Sequence, residues 1–593
     1  MVRKIIFGIL YFISLLFFVF YLDLANGPLW VFILSMVGFL AYLIIRVIFW
    51  KKSKIITTLM ITLFICFNGL IVLLARPEVK QLNATLTDEI YKTEELKLKN
   101  FNVFGSYSTD KKVEIYAGIP YAKAPVNELR WHEPVEIGNI DETLDCTKFK
   151  ARCIQKDTNP IFSSLVDIYA AKRWIPNYNM TPLQNMSEDC LYLNIWKPKG
   201  NVSNLPILVY YHGGSLTNGS SAYVDYNGEA MAKKNVIMIT VSYRLGVFGY
   251  FAHNELINES SNNTTGNYGL LDQICALKWV NDNASFFGGD KNNITIAGES
   301  AGSSCISAMC TSKLAKGLFK NAIGESSSLA TNNPPHTFRS LDNALKMGND
   351  IMKEFRASNI NDLRKVDALD LVNTKYTNNS MTLDGYALSK TPYQVYKDKE
   401  NNETNLLNGF NVLEADAFTV SQYLLNPTNK NNIKERLEQV FKNKSDDILA
   451  LYDLKTDDDA FKAFNEVFSA YWFFMPHYSW SHLAYDNGVN VYKYQFMKTN
   501  GYYQNYHSGE MVYCYGNLDK KNIRFAFNSS DYKLSEIMLD YWANFVKYGN
   551  PNGEGLPNWE KYNSSENLIE LSENIHMKED PYLALYEVLK DYR

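Results

Sequence analysis

Histidine and cysteine are scarce, with eight of each in 593 residues. No Cys-x-x-Cys pair occurs and no Cys/His group has zinc-like spacing, so a metal centre built on those ligands is excluded. A basic stripe is also missing. Lys and Arg are scattered and the formal net charge is -4, which leaves no electrostatic footprint for nucleic acid. No internal repeat is found, and repeat architectures are set aside. Charged residues stop at 21% against 46% hydrophobic, the balance of an ordinary globular chain. The 40 Tyr and 33 Phe are assigned to packing before any pocket lining.

Three apolar runs do stand at the start: Ile5 to Leu22, Leu29 to Ile45 and Ile55 to Ala75. Each is read as a membrane helix, which needs about 20 apolar residues. The first run opens with Met-Val-Arg-Lys, as a signal peptide does, but no small-x-small cleavage site precedes Asp23, and anchoring is preferred. Asp23 to Gly27 lacks Lys and Arg, whereas Arg3, Lys4, Arg46, Lys51, Lys52 and Lys54 flank the other ends. By the positive-inside rule the N-terminus faces the cytoplasm, and three crossings place everything after Arg76 outside. The expectation is a multi-pass membrane protein with an extracytoplasmic domain, where a disulfide can persist. No acidic residue lies within the runs, which offers little for a transporter reading. Asn-x-Ser/Thr triplets such as Asn83, Asn179 and Asn263 arise by chance in so Asn-rich a chain.

Residues 77–100 are polar and aperiodic and read as a linker between the membrane region, 1–76, and one large domain, 101–593. In that domain Pro206 to Tyr211, Asn235 to Tyr243, Ile294 to Ala297, Asn321 to Gly324 and Val491 to Phe496 read as buried strands alternating with helical stretches. The pattern predicts an α/β fold with a mostly parallel central sheet flanked by helices. Ligands of such sheets bind beyond the carboxyl ends of the strands.

At one of those ends stands Gly298-Glu299-Ser300-Ala301-Gly302, directly after the strand ITIA. This G-x-S-x-G in a strand–turn–helix context is a nucleophile elbow, with Ser300 lifted above the sheet. The longer stretch FGGDKNNITIAGESAG resembles the active-site signature of type-B carboxylesterases, the cholinesterase-like family of α/β-hydrolases. EDCLYLNIWKP (188–198), GIPYAKAPVNELRW (118–131), SYRLGVFGYFA (242–252) and GNYGLLDQICALKWV (266–280) are similar to further family segments. The resemblance runs from about residue 101 to near the C-terminus.

The resemblance implies an ester hydrolase with a Ser–acid–His triad. His507, in HSGEMVYCYG, matches the family's H-G-x-E-x-x-x-x-x-G segment, with Ser508 replacing the usual Gly. Glu414, in GFNVLEADAF with Gly409 at the family offset, is the preferred acid, and Asp416 is the rival. HGGSLTNG (212–219) is similar to the oxyanion loop, which implies backbone donors at Gly214 and Ser215 beside that of Ala301. Glu299 and Ser326 are expected to support the triad. Cys153 and Cys190 resemble the family's first disulfide, leaving Cys146 unpaired. The expected partners are a small ester and the membrane, with no cofactor and no metal. The run before Cys190 lacks Trp, and Trp174 lies further upstream, so choline esters are not the expected substrate. The competing reading is a catalytically silent binding protein resembling neuroligins, from which the presence of all three triad residues argues away.

Overall fold

The computed structural model describes residues 2–24, 29–49, 54–74, 79–156, 183–423, 425–499, 505–520 and 527–592. Trp174, Asn179, Lys51 and Lys52 lie outside the described residues. Two compact units are present: Met1–Lys80 with Asp157–Asn185, and Gln81–Lys156 with Met186–Arg593.

The first unit carries helices α1 (Val2–Leu24), α2 (Leu29–Ile48) and α3 (Lys54–Leu74). They pack through rings: Tyr11 on Phe39 at 5.7 Å, Phe39 on Phe64 at 4.9 Å, and Tyr42 on Phe64 at 4.2 Å. Among the described residues, only α2 is long and apolar enough to cross a membrane. The apolar stretches in the other two are Gly8–Leu22 and Thr58–Ile71. Among the described residues, the three-span, multi-pass arrangement read from the sequence is corrected to a single membrane-length helix. The topology that placed the domain outside the cytoplasm by counting three crossings falls with it. A membrane span needs an unbroken apolar helix of about 20 residues, and among the described residues α2, with 20, meets that test.

The second unit is built on an 11-stranded sheet. Its strands are β1 (Ser106–Tyr107), β2 (Val113–Pro120), β3 (Tyr192–Pro198), β4 (Leu205–Tyr211), β5 (Ile237–Val241), β6 (Gly289–Glu299), β7 (Asn321–Glu325), β8 (Asn405–Asn411), β9 (Asn490–Phe496), β10 (Asn567–Leu571) and β11 (His576–Glu579). In space they run β11-β10-β9-β8-β7-β6-β4-β5-β3-β2-β1. From β10 through β5 every neighbour is parallel. The flanking strands are antiparallel.

The strand sequences explain this. β4 is apolar or aromatic at every position from Ile207 to Tyr211, because both faces are covered. Ile207, Val209 and Tyr211 pack with Leu277 of α4 (Tyr268–Asn283) and Ile306 and Met309 of α5 (Ala301–Thr311). Leu208 and Tyr210 face the other way, onto Met538 and Trp542 of α8 (Ser529–Tyr548). Between them in the chain come α6 (Asp457–Ser469) and α7 (Met475–Asp486), joined by a π-helical turn at Ala470–Phe474. Residues 81–100, read as linker, belong to this unit. Leu96–Lys97 pairs with Asn102–Phe104, and Ala84 and Leu98 are buried. Backbone pairing with so few apolar anchors leaves no periodicity in the sequence.

Two buried ion pairs tie the signature segments together. Arg244 forks onto Asp272 through Nη2–Oδ1 (2.7 Å) and Nε–Oδ2 (2.8 Å), both side chains being inaccessible. Arg130 forks onto Glu188 at 2.7 and 2.6 Å. Removing one member of such a pair strands the other charge in a low dielectric. Asp272→Asn should lower the unfolding free energy by about 3–5 kcal/mol in urea denaturation. A change below 1 kcal/mol would show that Arg244 finds other compensation.

Candidate active site

The site lies where five adjacent parallel strands end. β4 leads into His212–Ser215, β6 into Ser300, β7 into Ser326, β8 into Glu414 and β9 into His507. These strands are neighbours in the sheet although far apart in the chain, so their following loops meet above one edge.

Ser300 sits between β6 and α5 with φ 56° and ψ -126°. A Cβ disfavours positive φ, so the strain falls on the serine itself and not on its glycines. Those glycines serve close approach. A Cβ on Gly302 would stand 2.1 Å from Tyr211 O, and one on Gly298 would stand 2.6 Å from Gly302 C. The Ser300 amide is bonded to Glu325 O at 2.8 Å. Its half-buried hydroxyl lies 2.9 Å from His507 Nε2.

His507 Nδ1 lies 2.5 Å from Glu414 Oε2. A bridge between Leu413 and Tyr506 fixes the two loops side by side, one residue before each partner. The other oxygen of the fully buried Glu414 accepts from Ser326 Oγ (2.6 Å) and from the Asn411 amide (2.7 Å). Asp416 is turned away, with Oδ1 3.2 Å from Asn465 Nδ2. Glu299 Oε1 is 3.4 Å from His507 Nε2 and accepts from Ser508 Oγ at 2.5 Å.

The loop after β4 keeps the conformation expected of a glycine-rich turn: φ is 104° at Gly214, 54° at Ser215 and 59° at Leu216. Among the described residues, the amides of Gly214 and Ser215 have no protein acceptor. Ala301 is the first residue of α5, where helical amides have no internal partner. Gly213 has its own constraint. A Cβ there would meet Glu299 O at 2.5 Å and Ser300 Cβ at 3.0 Å.

The charge balance is unusual. Burial alone would lower the His507 pKa, but the carboxylates of Glu299, Glu414 and Glu510 more than offset that and push it up to about 9. Burial raises Glu299 to about 7 against the pull of His507. Burial, with the charges of Glu414 and Glu299, raises Glu510 to about 8. Glu325 is pushed far up by burial and by Glu510, and Trp542 Nε1 donates to it at 2.9 Å. So burial favours the protonated form of Glu325 and Glu510, while the charge of nearby carboxylates favours the imidazolium.

Several of these groups escaped the sequence reading. Asn411 also donates from Nδ2 to Glu510 Oε2 (2.5 Å). The position of Glu510 in HSGE was visible but suggested no role. Phe418 and Phe473 place their rings 5.4 and 4.9 Å from the imidazole. Phe473 is presented by the π-helical turn, which has no local signature in AYWFF. Cys153 and Cys190 are bonded, with Cα atoms 4.9 Å apart, and Cys146 is free and buried. Among the described residues, no group of three or more His, Cys, Asp or Glu is disposed to hold a metal ion.

The sequence model of the Carboxylesterase family matches residues 93–587. Carboxylesterase 1C of Rattus norvegicus is 30% identical over 488 residues, covering 77% of this chain and 85% of that protein. Fumonisin B1 esterase of Sphingopyxis macrogoltabida is 29% identical over 523 residues, covering 81% and 87%. A crystal structure of a Geobacillus stearothermophilus carboxylesterase superposes with a TM-score of 0.70 at 25% identity, covering 84% of this chain and 100% of that one. Fold, family match and relatives agree, and the chain belongs to the carboxylesterase family, as a carboxylic ester hydrolase of serine-hydrolase type.

Proposed function

We propose that this chain cleaves carboxylic esters through an acyl-enzyme on Ser300, with His507 as base and acid and Glu414 as its carboxylate partner. The observation that carries the reading is the unbroken line of contacts from Ser300 Oγ to His507 Nε2 (2.9 Å) and from Nδ1 to Glu414 Oε2 (2.5 Å). A serine hydroxyl is a poor nucleophile until a base takes its proton. With Glu414 holding the hydrogen on Nδ1, the neutral imidazole offers its Nε2 lone pair to Ser300.

Ser300 Oγ bonds to the carbonyl carbon as its proton passes to Nε2. The oxyanion is held by the amides of Gly214, Ser215 and Ala301, which are free to donate without reorganisation. His507 then protonates the alcohol oxygen as the C–O bond breaks. Water, giving its proton to His507, attacks the acyl carbon, and Ser300 leaves with that proton. Glu299 and Glu414 stabilise the imidazolium formed in each half. Phe418 and Phe473 beside the imidazole favour an apolar substrate group there.

We also propose that the chain is attached to a membrane by α2, on the strength of its 20-residue apolar length. The full chain should stay in the pellet when membranes are extracted with alkaline carbonate. Release into the supernatant would remove the anchor from this account.

A fluorophosphonate probe should label the wild type and leave Ser300→Ala unlabelled, with ester turnover lower by roughly a million-fold. Labelling of Ser300→Ala at another residue, with turnover kept, would overturn the site. The acid limb of kcat/KM should lie above the ordinary histidine value, because activity is lost as falling pH protonates His507 and its pKa is raised. Glu414→Gln should bring that limb down and reduce kcat by about 10⁴-fold. A limb at or below about 6.5 in the wild type would contradict the electrostatics described.

A further inference from the structure

Ser508 departs from the pattern its neighbours follow. It has φ 67°, a left-handed conformation that glycine adopts freely and a Cβ disfavours. Its hydroxyl is committed to one contact, donation to Glu299 Oε1 at 2.5 Å. That same oxygen lies 3.4 Å from His507 Nε2, the nitrogen that also faces Ser300 Oγ at 2.9 Å. Two acceptors therefore stand before one nitrogen. Once His507 is protonated, its Nε2 hydrogen can point to the reacting oxygen or to the Glu299 carboxylate. A buried carboxylate free to close on an imidazolium forms a strong, charge-assisted hydrogen bond. That would hold the proton where the leaving alcohol cannot take it, and would keep the imidazole protonated to still higher pH.

We propose that Ser508 is a positioning residue that tethers Glu299 Oε1, so that Glu299 faces His507 as a fixed charge and not as a rival for its proton. The inference rests on the triad reading above. Ser508 touches neither Ser300 nor the imidazole nitrogen in this role and acts through Glu299. The other charged groups facing the pair are Glu414 and Glu510 around His507, and Glu414 and Asp225 around Glu299. All are unchanged in the variants below.

The test is the second-order rate of fluorophosphonate labelling from about pH 5 to about pH 10, where the acid limb reports the ionisation of the imidazole. It is measured in the full chain for wild type, Ser508→Gly, Ser508→Ala, Glu299→Gln and Ser508→Gly with Glu299→Gln. Ser508→Gly relieves the backbone and keeps the fold accessible while removing the hydroxyl. Both Ser508 variants should move the acid limb to higher pH by roughly half a unit or more, slowing labelling two- to threefold at the wild-type midpoint. In the Glu299→Gln background, with no carboxylate to restrain, Ser508→Gly should leave the limb where Glu299→Gln puts it. A limb that stays in place or moves down in Ser508→Gly, or moves up equally with Gln at 299, would overturn the tether. A purely structural role for Ser508 would alter thermal stability and leave the limb alone. Failure of the triad reading is separable, because Ser300→Ala would then still be labelled.

Discussion

The site depends on one backbone conformation, the positive φ at Ser300. Such a conformation costs on the order of 1–3 kcal/mol in a residue with a Cβ and persists only where the surroundings determine it. They do so here through β4 and β7. Gly302 lets the start of α5 lie against the carbonyl of Tyr211, and the Ser300 amide is held by Glu325. The serine is thereby placed against the loop that follows β4, with Gly213 too close for any side chain. Nucleophile and amide donors are set by the same packing, so neither can shift without the other.

The electrostatics follow from the sheet as well. Three glutamates act on one histidine and a fourth, Glu325, on the group they form, because β6, β7, β8 and the β9 loop each deliver an acid to one edge. So many buried like charges cannot all be ionised. Glu414 is held by contacts with Ser326, Asn411 and His507. Glu325, by burial and by Glu510, and Glu510, by burial and by Glu414 and Glu299, are pushed towards the neutral form. Glu299 stands between these extremes, which is why a single donor such as Ser508 matters to it.

The family segments outside the catalytic turn have a different task. Arg130 in one of them forks onto Glu188 in another, and Arg244 in a third forks onto Asp272 in the fourth. Arg130 also donates to the carbonyls of Arg364 and Val366. These pairs fasten the loops at Arg130, Glu188 and Arg244, the last of them against α4. The Cys153–Cys190 bond links residues 37 positions apart, restricting the unfolded chain by about 3–4 kcal/mol in a loop-closure account.

Local order was legible in the residues themselves. Continuous or largely apolar runs marked β4, β5 and the ITIA part of β6 because a parallel strand is covered on both faces. Gly298 to Gly302 marked the turn, since close backbone approach admits no Cβ. What the sequence could not supply was distance through space. Ser300 and His507 are 207 positions apart, and His507 and Glu414 are 93 apart. Only the order of strands in the sheet brings them into contact. Asn411, Phe473 and the protonation of Glu510 depend on that same convergence, and on burial, which no local pattern encodes. The membrane region failed in the opposite direction. Hydropathy alone suggested three spans, whereas among the described residues one helix, Leu29–Ile48, is long and apolar enough to cross. Sequence reports which neighbours along the chain are compatible with a strand, a turn or an apolar helix. Tertiary structure decides which distant groups share a dielectric and a proton, because electrostatic and hydrogen-bond energies depend on separation in space and not along the chain.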